Sequence, residues 1–345
     1  MLLIPHEQLR EAGRTILEAA GTPRDIAEVV TNILVESNLV GHDSHGVLRI
    51  PAYVNQIKQG NLIPDARPAI IEQTASTALL NGNLGFGHYA AHLATNIVIE
   101  KAKAEKLAAV GIVRCNHIGR LGEYATQAAR QGVVAMVTSA GVGYTGIAAP
   151  FGGAGRALGT NPIAFGVPAA QHGPMIVDFA TTVIAEGKIQ VARSKGEQLP
   201  PGCILDKDGH PSTNPADFYN GGMLLPFGGH KGYALALVVN VLSAQLLGVD
   251  AYGHEGRGSG TFILGVDAGA FRPRPDYDAA TDALFDRIKA VPPAPGFSEV
   301  LIPGEPEQRT RAKRVAEGVP LPETIHAQLL ETAESLGTSV ERILL

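Results

Sequence analysis

The chain has 345 residues, of which 45% are hydrophobic and 18% charged, a composition typical of a globular protein that is long enough for two domains. Its formal net charge of -5 provides no basic surface for phosphates, which excludes nucleic-acid binding. With no signal-peptide pattern, no apolar run of about 18 residues and only two cysteines, we expect a cytoplasmic protein without membrane contacts.

The first 40 residues predict two helices. Apolar side chains recur at helical spacing from Leu9 to Ala20, and Gly21 ends that pattern. A second buried stripe runs from Ile26 to Leu34. The polar stretch HDSHG, residues 42–46, follows at the end of this second helix.

Beyond PDARP, at residues 64–68, the pattern changes to strands that alternate with helices. LAAVGIV, VVAMVTSA, IAFGVPA, MIVDFA and TFILGVDAGAF predict strands, whereas TTVIAEGKIQVAR predicts a helix. GYALALVVNVLSAQLLG predicts a helix buried against a sheet, and ETIHAQLLETAESLG predicts a last helix. Because both ends are helical, we expect a helical domain built from residues 1–72 and 297–345, with an α/β domain at residues 73–296 inserted between them.

GVGYTG, at residues 141–146, has the glycine spacing of a Rossmann dinucleotide-binding loop. That motif requires a helix that begins at its glycines, but IAAPFGGAG follows and cannot sustain one. No acidic residue occurs between Glu123 and Asp178 to bind the ribose. The sequence therefore favours a glycine-rich loop that does not belong to a Rossmann unit.

HDSHGVLR allows three interpretations. His42 and His45, with Asp43 between them, have a spacing that could bind a metal on a helix, although Gly46 works against a helix there. Alternatively, the cluster points into a cleft, where Arg49 could hold a carboxylate through two parallel hydrogen bonds. The third interpretation is a solvated helix end.

Three other clusters carry candidate residues. His117 lies between a predicted strand and a predicted helix, where it could exchange a proton near neutral pH. Asp178 ends an apolar strand and needs a partner, so it could orient a histidine or accept from a cofactor hydroxyl. His230 and Lys231 stand at a glycine-rich helix entrance, which favours an anion such as phosphate, although Lys231 could equally be a solvated lysine.

These clusters, in this order, resemble the type 2 malate/L-lactate dehydrogenase family, over a match from about residue 7 to the end of the chain. The resemblance is carried by GHDSHGVLRIPAYV, NHIGRLGEYA, GTNPIAFGVP, VDFATTVIAEGKIQVA, GGHKGYALA and IPGEPE. PPGC and HKGYALA resemble its hydroxycarboxylate dehydrogenase subgroup. The resemblance implies a non-Rossmann mixed-sheet NAD(P)-binding domain, a homodimer, and NAD or NADP as the cofactor.

The resemblance also assigns residues by position. His117 matches the catalytic acid/base and Arg49 the substrate-side arginine, and Asp178 and His45 complete the catalytic set. The matched cofactor contacts are His45, Gly119, Arg120, Leu121, Ile176, Val177, Asp178, Phe179, Ala180, His230, Lys231, Ser259, Gly304, Glu305, Pro306 and Glu307. The chain departs from the subgroup at two positions. The subgroup does not keep arginine at the position of Arg49, and it has asparagine at the position of Ser259.

The main hypothesis is therefore hydride transfer between a nicotinamide and C2 of a 2-oxo or 2-hydroxy acid. In the reducing direction the rate should fall as pH rises through the pKa of His117. Reduction of a cyclic imine-2-carboxylate on the same scaffold is an alternative. The sequence also leaves open a metal-dependent hydrolase that uses HDSH with His117, and a binding protein without turnover.

Overall fold

The computed structural model describes residues 1–141, 146–251 and 259–344. The helices in these ranges are α1 (His6–Ala19), α2 (Arg24–Leu39), α3 (Ile50–Lys58), α4 (Gly87–Glu105), α5 (Gly122–Arg130), α6 (Glu186–Lys195), α7 (Pro215–Tyr219), α8 (His230–Asn240), α9 (Arg274–Lys289), α10 (Glu305–Glu317) and α11 (Glu323–Glu334). Two short 3₁₀ helices, Asp43–His45 and Val47–Arg49, connect α2 to α3, and the π-helical turn Val241–Gln245 extends α8.

The strands are β1 (Leu2–Ile4), β2 (Ala69–Gln73), β3 (Thr77–Asn81), β4 (Leu107–Cys115), β5 (Val133–Gly141), β6 (Ile163–Val167), β7 (Met175–Phe179), β8 (Ile204–Leu205), β9 (Pro211–Ser212), β10 (Met223–Leu224), β11 (Ser259–Asp267) and β12 (Val319–Leu321). Seven of these described strands form one sheet in the order β2-β3-β4-β11-β5-β6-β7. Only β3 and β4 pair in parallel within it; its other described pairs are antiparallel.

This mixed sheet confirms the predicted non-Rossmann architecture, because a Rossmann sheet is mostly parallel. The middle of GVGYTG, residues 142–145, lies outside the described residues. After it, residues 146–160 form turns and a bridge between Ala148 and Leu158. No helix follows in that range, as the sequence predicted.

The two chain ends form one helical layer. Strand β1 pairs with β12, so that Leu2 lies opposite Leu321. A single buried core contains Leu9 and Ile16 near the start of the chain and Leu329 near its end. This confirms a helical domain formed by both termini, while its boundaries at residues 72 and 297 remain a prediction.

The helical layer packs on the face of the sheet that carries α4 and α5. Ile33 of α2 belongs to the same buried cluster as Ala91 of α4, Tyr124 of α5 and Ile112 of β4. The connection from α2 to α3 therefore lies against the loop that follows β4. These are the two segments that carry HDSHGVLR and NHIGR.

Two sequence predictions need correction. Helix α6 begins at Glu186 rather than at Thr181, because the backbone N–H of Thr181 donates to Thr160 O at 2.9 Å and so holds the chain extended. Helix α8 is buried on one face only: Val239 is buried, but Val238 is 52% exposed. None of the helices in the described ranges is long and apolar enough to cross a membrane.

Candidate active site

The loop that carries His117 is fixed by buried hydrogen bonds. The side-chain amide of Asn116 donates to Leu84 O at 2.7 Å, and the hydroxyl of Tyr124 donates to Ile118 O. Gly87, at the start of α4, lets the loop approach closely, because a Cβ there would lie 2.0 Å from Asn116 O. His117 is therefore presented at the carboxyl end of β4 on a rigid support.

The side chain of Asn38, at the end of α2, holds the conformation of HDSHGVLR through two hydrogen bonds. Its Oδ1 accepts from the backbone N–H of Val47 at 2.9 Å, and its Nδ2 donates to Asp43 Oδ1 at 2.7 Å. Asp43 also accepts from Arg314 at 2.7 Å. Asp43 is thus a structural residue, and the 3₁₀ helices that it anchors turn His45 toward His117.

Arg49 is held in the same segment. Its Nε donates to Ser44 O at 2.7 Å, which orients the guanidinium without neutralising it. Its positive charge helps to lower the pKa of both His45 and His117, so the three groups are electrostatic neighbours. The structure therefore brings together the proposed acid/base and the proposed carboxylate-binding residue.

The two imidazoles lie beside each other at one cavity. The rings of His45 and His117 stack with their centroids 5.8 Å apart and an interplanar angle of 21°. The cavity has a volume of about 400 Å³. We call it the histidine cavity, and its lining residues are His45, His117, Ile118, Gly119, Leu121, Ser139, Gly141, Gly146, Ile147, Gly159, Thr160, Asn161, Pro162 and Ser259.

Both histidines are neutral at neutral pH. Loss of hydration, followed by the charge of Arg49, lowers the pKa of His45 to about 4. The same loss of hydration, followed by charge on His45 and Arg49, lowers the pKa of His117 to about 3. One side of His117 remains exposed to the cavity, and there a substrate can reach the ring.

A third histidine, His88, lies behind His117 and makes stability depend on pH. Burial lowers its pKa well below 6.5, so the unfolded chain binds a proton below that pH that the folded protein does not. The free energy of unfolding should therefore fall as pH drops below 6.5, by up to about 1.4 kcal/mol per pH unit from this group. Urea unfolding of the wild type and of His88→Leu, across this range, should show a shallower pH slope for the variant. Equal slopes would contradict this assignment.

A second cavity, of about 330 Å³, lies between the helical layer and α5. Its lining residues include both carboxylates and guanidinium groups, and we call it the charged cavity. It is lined by Glu36, Val40, Arg120, Glu123, Thr126, Arg130, Gly173, Pro174, Ile176, Gly304, Glu307, Gln308, Arg311 and Ala312. Arg120 lines this cavity and its chain neighbour Leu121 lines the histidine cavity, so this segment lies between the two cavities.

Asp178 lies beside the same segment. Its Oδ2 accepts from the backbone N–H of Gly122 at 2.7 Å, at the start of α5. Burial raises its pKa, although the charge of Arg120 and the bond from Gly122 oppose that effect. Among the described residues no histidine forms a hydrogen bond with Asp178, so the histidine-orienting alternative is not supported.

The other predicted site residues divide between the two cavities and the surface. Ser259 lines the histidine cavity and donates to Cys115 O at 3.0 Å. Glu305 is engaged elsewhere, since both its oxygens accept from Lys289. His230 and Lys231 are exposed and line neither cavity, so the structure does not bring them to His117.

The remaining predicted cofactor contacts follow the edge strand β7 and its neighbours. Residues 176–179 lie in β7 and Ala180 follows it. Gly304 lies against Ile176, because a Cβ on Gly304 would come within 3.0 Å of the backbone nitrogen of Ile176. Phe179 is partly exposed and packs edge-on against Phe227 at 5.6 Å. Pro306 and Glu307 open α10, and Glu307 approaches His42 at 3.5 Å.

The metal-binding interpretation lacks a ligand set. No three His, Cys, Asp or Glu side chains within residues 1–141, 146–251 and 259–344 come together as potential metal ligands. Asp43 is committed to Asn38 and Arg314, and the two histidines of HDSH point to different partners. The hydrolase alternative therefore has no structural support.

Sequence reasoning missed three residues of the histidine cavity and its wall. The hydroxyl of Tyr53 forms hydrogen bonds with His117 and with His88. Asn161 lines the cavity, and its buried Oδ1 has no hydrogen-bond partner. Tyr53 follows HDSHGVLR within the same family motif, and Asn161 lies in GTNP, so polar residues inside family motifs were the available signal. Nothing in the sequence around His88 indicated its position.

The lining residues fit a nicotinamide cofactor. The buried Oδ1 of Asn161 in the histidine cavity has no hydrogen-bond partner, and an amide group can supply the missing donor. The buried Nε of Arg120 at the charged cavity is also unpartnered, and a phosphate can accept from it. Each cavity thus has a lining residue with a buried polar atom that a bound cofactor would supply with a partner.

The mixed sheet and the histidine cavity carry the residue types that acid–base enzymes use. A family model described as malate/L-lactate dehydrogenase matches residues 4–330. The chain is 35% identical to hydroxycarboxylate dehydrogenase B of Escherichia coli, over 96% of this chain and 93% of the relative.

Two solved structures are similar over almost the whole chain. Sulfolactate dehydrogenase of Methanocaldococcus jannaschii has a TM-score of 0.90 and 33% identity, covering 99% of each chain. The Δ1-piperideine-2-carboxylate reductase of Pseudomonas syringae has a TM-score of 0.82 and 29% identity, covering 96% of this chain and 100% of the other. The protein belongs to the malate/L-lactate dehydrogenase family and is a nicotinamide-dependent oxidoreductase.

Proposed function

We propose that His117 exchanges the proton on the C2 oxygen of a 2-oxo or 2-hydroxy acid while the nicotinamide cofactor exchanges the hydride at C2. The observation that carries this proposal is that His117 and His45 line one cavity, with the positive charge of Arg49 near enough to lower the pKa of both. In the oxidising direction, Nε2 of neutral His117 takes the hydroxyl proton as the C2 hydride leaves. In the reducing direction, protonated His117 returns it.

Arg49 binds the carboxylate of the substrate. Its Nε is fixed by Ser44 O, which aims the rest of the planar guanidinium for two parallel hydrogen bonds. Binding of the carboxylate offsets the charge that depresses the pKa of His117. Substrate binding therefore raises that pKa and helps to supply the protonated form that reduction requires, and the reduction rate falls as pH rises.

The cofactor, NAD or NADP, would supply the hydride chemistry at C2. Its nicotinamide would be held by His45 and Ser259, and residues 119–121, 176–180 and 304–307 would provide its further contacts. Support comes from Arg120 and Leu121, chain neighbours that line different cavities, and from the unpartnered Nε of Arg120.

The test is a panel of 2-oxo acids, small, dicarboxylic and aromatic, assayed with each reduced cofactor. We expect consumption of the reduced nicotinamide with at least one acid, and a clear preference for one cofactor. The charged cavity contains carboxylates, which can accept from the ribose 2′-hydroxyl of NAD, and guanidinium groups, which can bind the 2′-phosphate of NADP. The panel therefore compares the two cofactors. Cofactor binding without turnover on any member would contradict the proposal.

Reduction of a cyclic imine-2-carboxylate is the second candidate. The similar structure from Pseudomonas syringae is described as a reductase of such an imine. The same residues serve this reaction, because the imine carries a carboxylate for Arg49 and a C2 centre that accepts hydride. Piperideine-2-carboxylate therefore belongs in the panel, and the higher kcat/KM decides between the two substrate classes.

We also propose that the protein is a homodimer that contacts its copy through the exposed face of α8, and that it works in the cytoplasm. Both described cysteines are free thiols, as expected in a reducing compartment. The face carries Leu237 at 41%, Val238 at 52% and Val241 at 53% exposure, at helical spacing. An apolar face of this kind is typical of an interface.

The Val238→Glu substitution tests this interface. We expect it to convert the dimer to a monomer in sedimentation velocity, because it places a charge in an apolar contact. Val291→Glu, at another exposed apolar position, is the matched control and should leave the dimer intact. A Val238→Glu protein that remains dimeric would exclude this face.

A further inference from the structure

Tyr53 connects the two domains at the histidine cavity. It belongs to α3 and is 3% exposed, packed edge-on against Phe86 within the helical core. Its hydroxyl lies 2.9 Å from Nδ1 of His117 and 3.4 Å from Nε2 of His88. A buried phenol of the helical layer thus lies between two histidines of the α/β layer.

Acid–base chemistry at His117 imposes a direction on these hydrogen bonds. Since Nδ1 faces Tyr53, Nε2 is the nitrogen that can reach a substrate. A neutral imidazole has one N–H, so Nε2 is a base only when the proton stays on Nδ1. Tyr53 must then accept from Nδ1–H and direct its own O–H elsewhere.

His88 is the acceptor for that hydroxyl. It is completely buried, and this burial lowers its pKa, so it stays neutral and keeps a lone pair. Burial likewise raises the pKa of Tyr53, which therefore keeps its proton. Gly119 has a φ of +74°, and a Cβ there would lie 2.8 Å from Nε2 of His88. A glycine at this position leaves room for the histidine that completes the chain of hydrogen bonds.

We propose that Tyr53, backed by His88, is a positioning residue that keeps a proton on Nδ1 of His117, so that only Nε2 exchanges protons with the substrate. This inference rests on the proposed function. During oxidation the substrate O–H bond breaks and an Nε2–H bond forms, while Nδ1–H continues to donate to Tyr53. The positive charge that develops on His117 is stabilised by the two successive hydrogen bonds, and no proton passes to His88.

The tautomer itself can be measured. ¹⁵N-histidine labelling of the wild type, with the His117 signals assigned by a His117→Gln variant, should show Nδ1 protonated and Nε2 unprotonated near neutral pH. Tyr53→Phe removes only the hydroxyl, and we expect it to shift His117 toward the Nε2–H tautomer. Tyr277→Phe is the matched control, since that hydroxyl bonds to Pro168 O in the α/β layer.

The kinetic readout separates positioning from packing. We expect Tyr53→Phe to lower kcat about tenfold to a hundredfold in both directions and to change KM less than about threefold. The charged and titratable groups that face His117 are His45 and Arg49 from the 3₁₀ helices, Tyr53 from α3 and His88 from α4. His45, Arg49 and His88 all remain in the Tyr53→Phe variant. If the pH at which the reduction rate falls is lower in this variant, the lost hydroxyl is therefore the cause.

His88→Leu provides a second route to the same result. It should lower kcat as Tyr53→Phe does, and the double variant should be no worse than either single one. The inference is overturned if Tyr53→Phe retains wild-type kcat, pH profile and His117 tautomer. A wild type that is inactive on all panel substrates would instead reject the proposed function, and the tautomer measurement would still decide the role of Tyr53.

Discussion

The His117→Ala variant is expected to retain its fold and its cofactor affinity but to lose about a hundredfold to ten thousandfold in kcat. The loss is large because both directions of the reaction use one proton position, Nε2. Neither neighbour can replace it: Arg49 does not give up its proton, and the His45 ring centroid lies 5.8 Å away. Steady-state kinetics in both directions, with binding of the reduced cofactor followed by fluorescence, measures the two properties separately.

His172→Ala is the matched control for this variant. His172 pairs with Asp286 far along the chain and lines neither cavity, so its removal should leave turnover unchanged. A second check is the solvent deuterium isotope effect on kcat. It should increase in the variant, because proton transfer becomes the slow step when the base is lost. If His117→Ala folds and turns over at a near-normal rate, the acid/base assignment is wrong.

Much of the fold could be predicted because buried apolar residues recur at a regular spacing within a single helix or strand. The apolar stripe of α1 and the buried strands β4 and β5 are visible as periodicity within a single segment. Helix α8 shows the limit of this signal. Its sequence is apolar on every side, so periodicity could not distinguish the face that packs on the sheet from the face that carries Val238.

The site could be predicted where one short segment contains a titratable or charged side chain next to a recognisable strand or helix end. His117 and Arg49 stand out by residue type beside a buried strand and a helix end, and the structure places them near enough for the charge of Arg49 to lower the pKa of His117. Tyr53 and His88 could not be found in this way, because a tyrosine and a histidine inside helices have the ordinary interpretation of core residues. Their role arises from a contact between residues 35 positions apart, at 3.4 Å, which only the packing of α3 on α4 creates.

The predicted cofactor contact at Lys231 stays a prediction, because Lys231 lines neither of the two described cavities. A lysine after two glycines at the start of an apolar helix is a reasonable local signal for phosphate. In the structure it is exposed and outside both cavities, whereas Arg120, a residue within the His117 loop, is buried and lines the charged cavity. Local sequence can propose an anion site, but the cleft to which it belongs depends on how the segments pack.

The second large effect is expected for Arg49→Ala, which should raise KM for the acid about a hundredfold or more, with a smaller loss in kcat. A bidentate, charge-assisted pair with a carboxylate contributes about 2–5 kcal/mol when its removal leaves the other charge unpaired. The guanidinium is held for this task by Ser44 O at 2.7 Å. Steady-state kinetics with varied acid at saturating cofactor measures the change.

Arg49→Lys separates charge from geometry, because an ammonium keeps the charge but cannot form the two parallel bonds. We expect it to fall between Arg49→Ala and the wild type. Arg309→Ala, which breaks an exposed pair with Glu299, is the control that should leave KM for the acid unchanged. Since Arg49 also depresses the pKa of His117, Arg49→Ala should extend reduction to higher pH even as affinity is lost. An unaltered KM in Arg49→Ala would mean that another group binds the carboxylate.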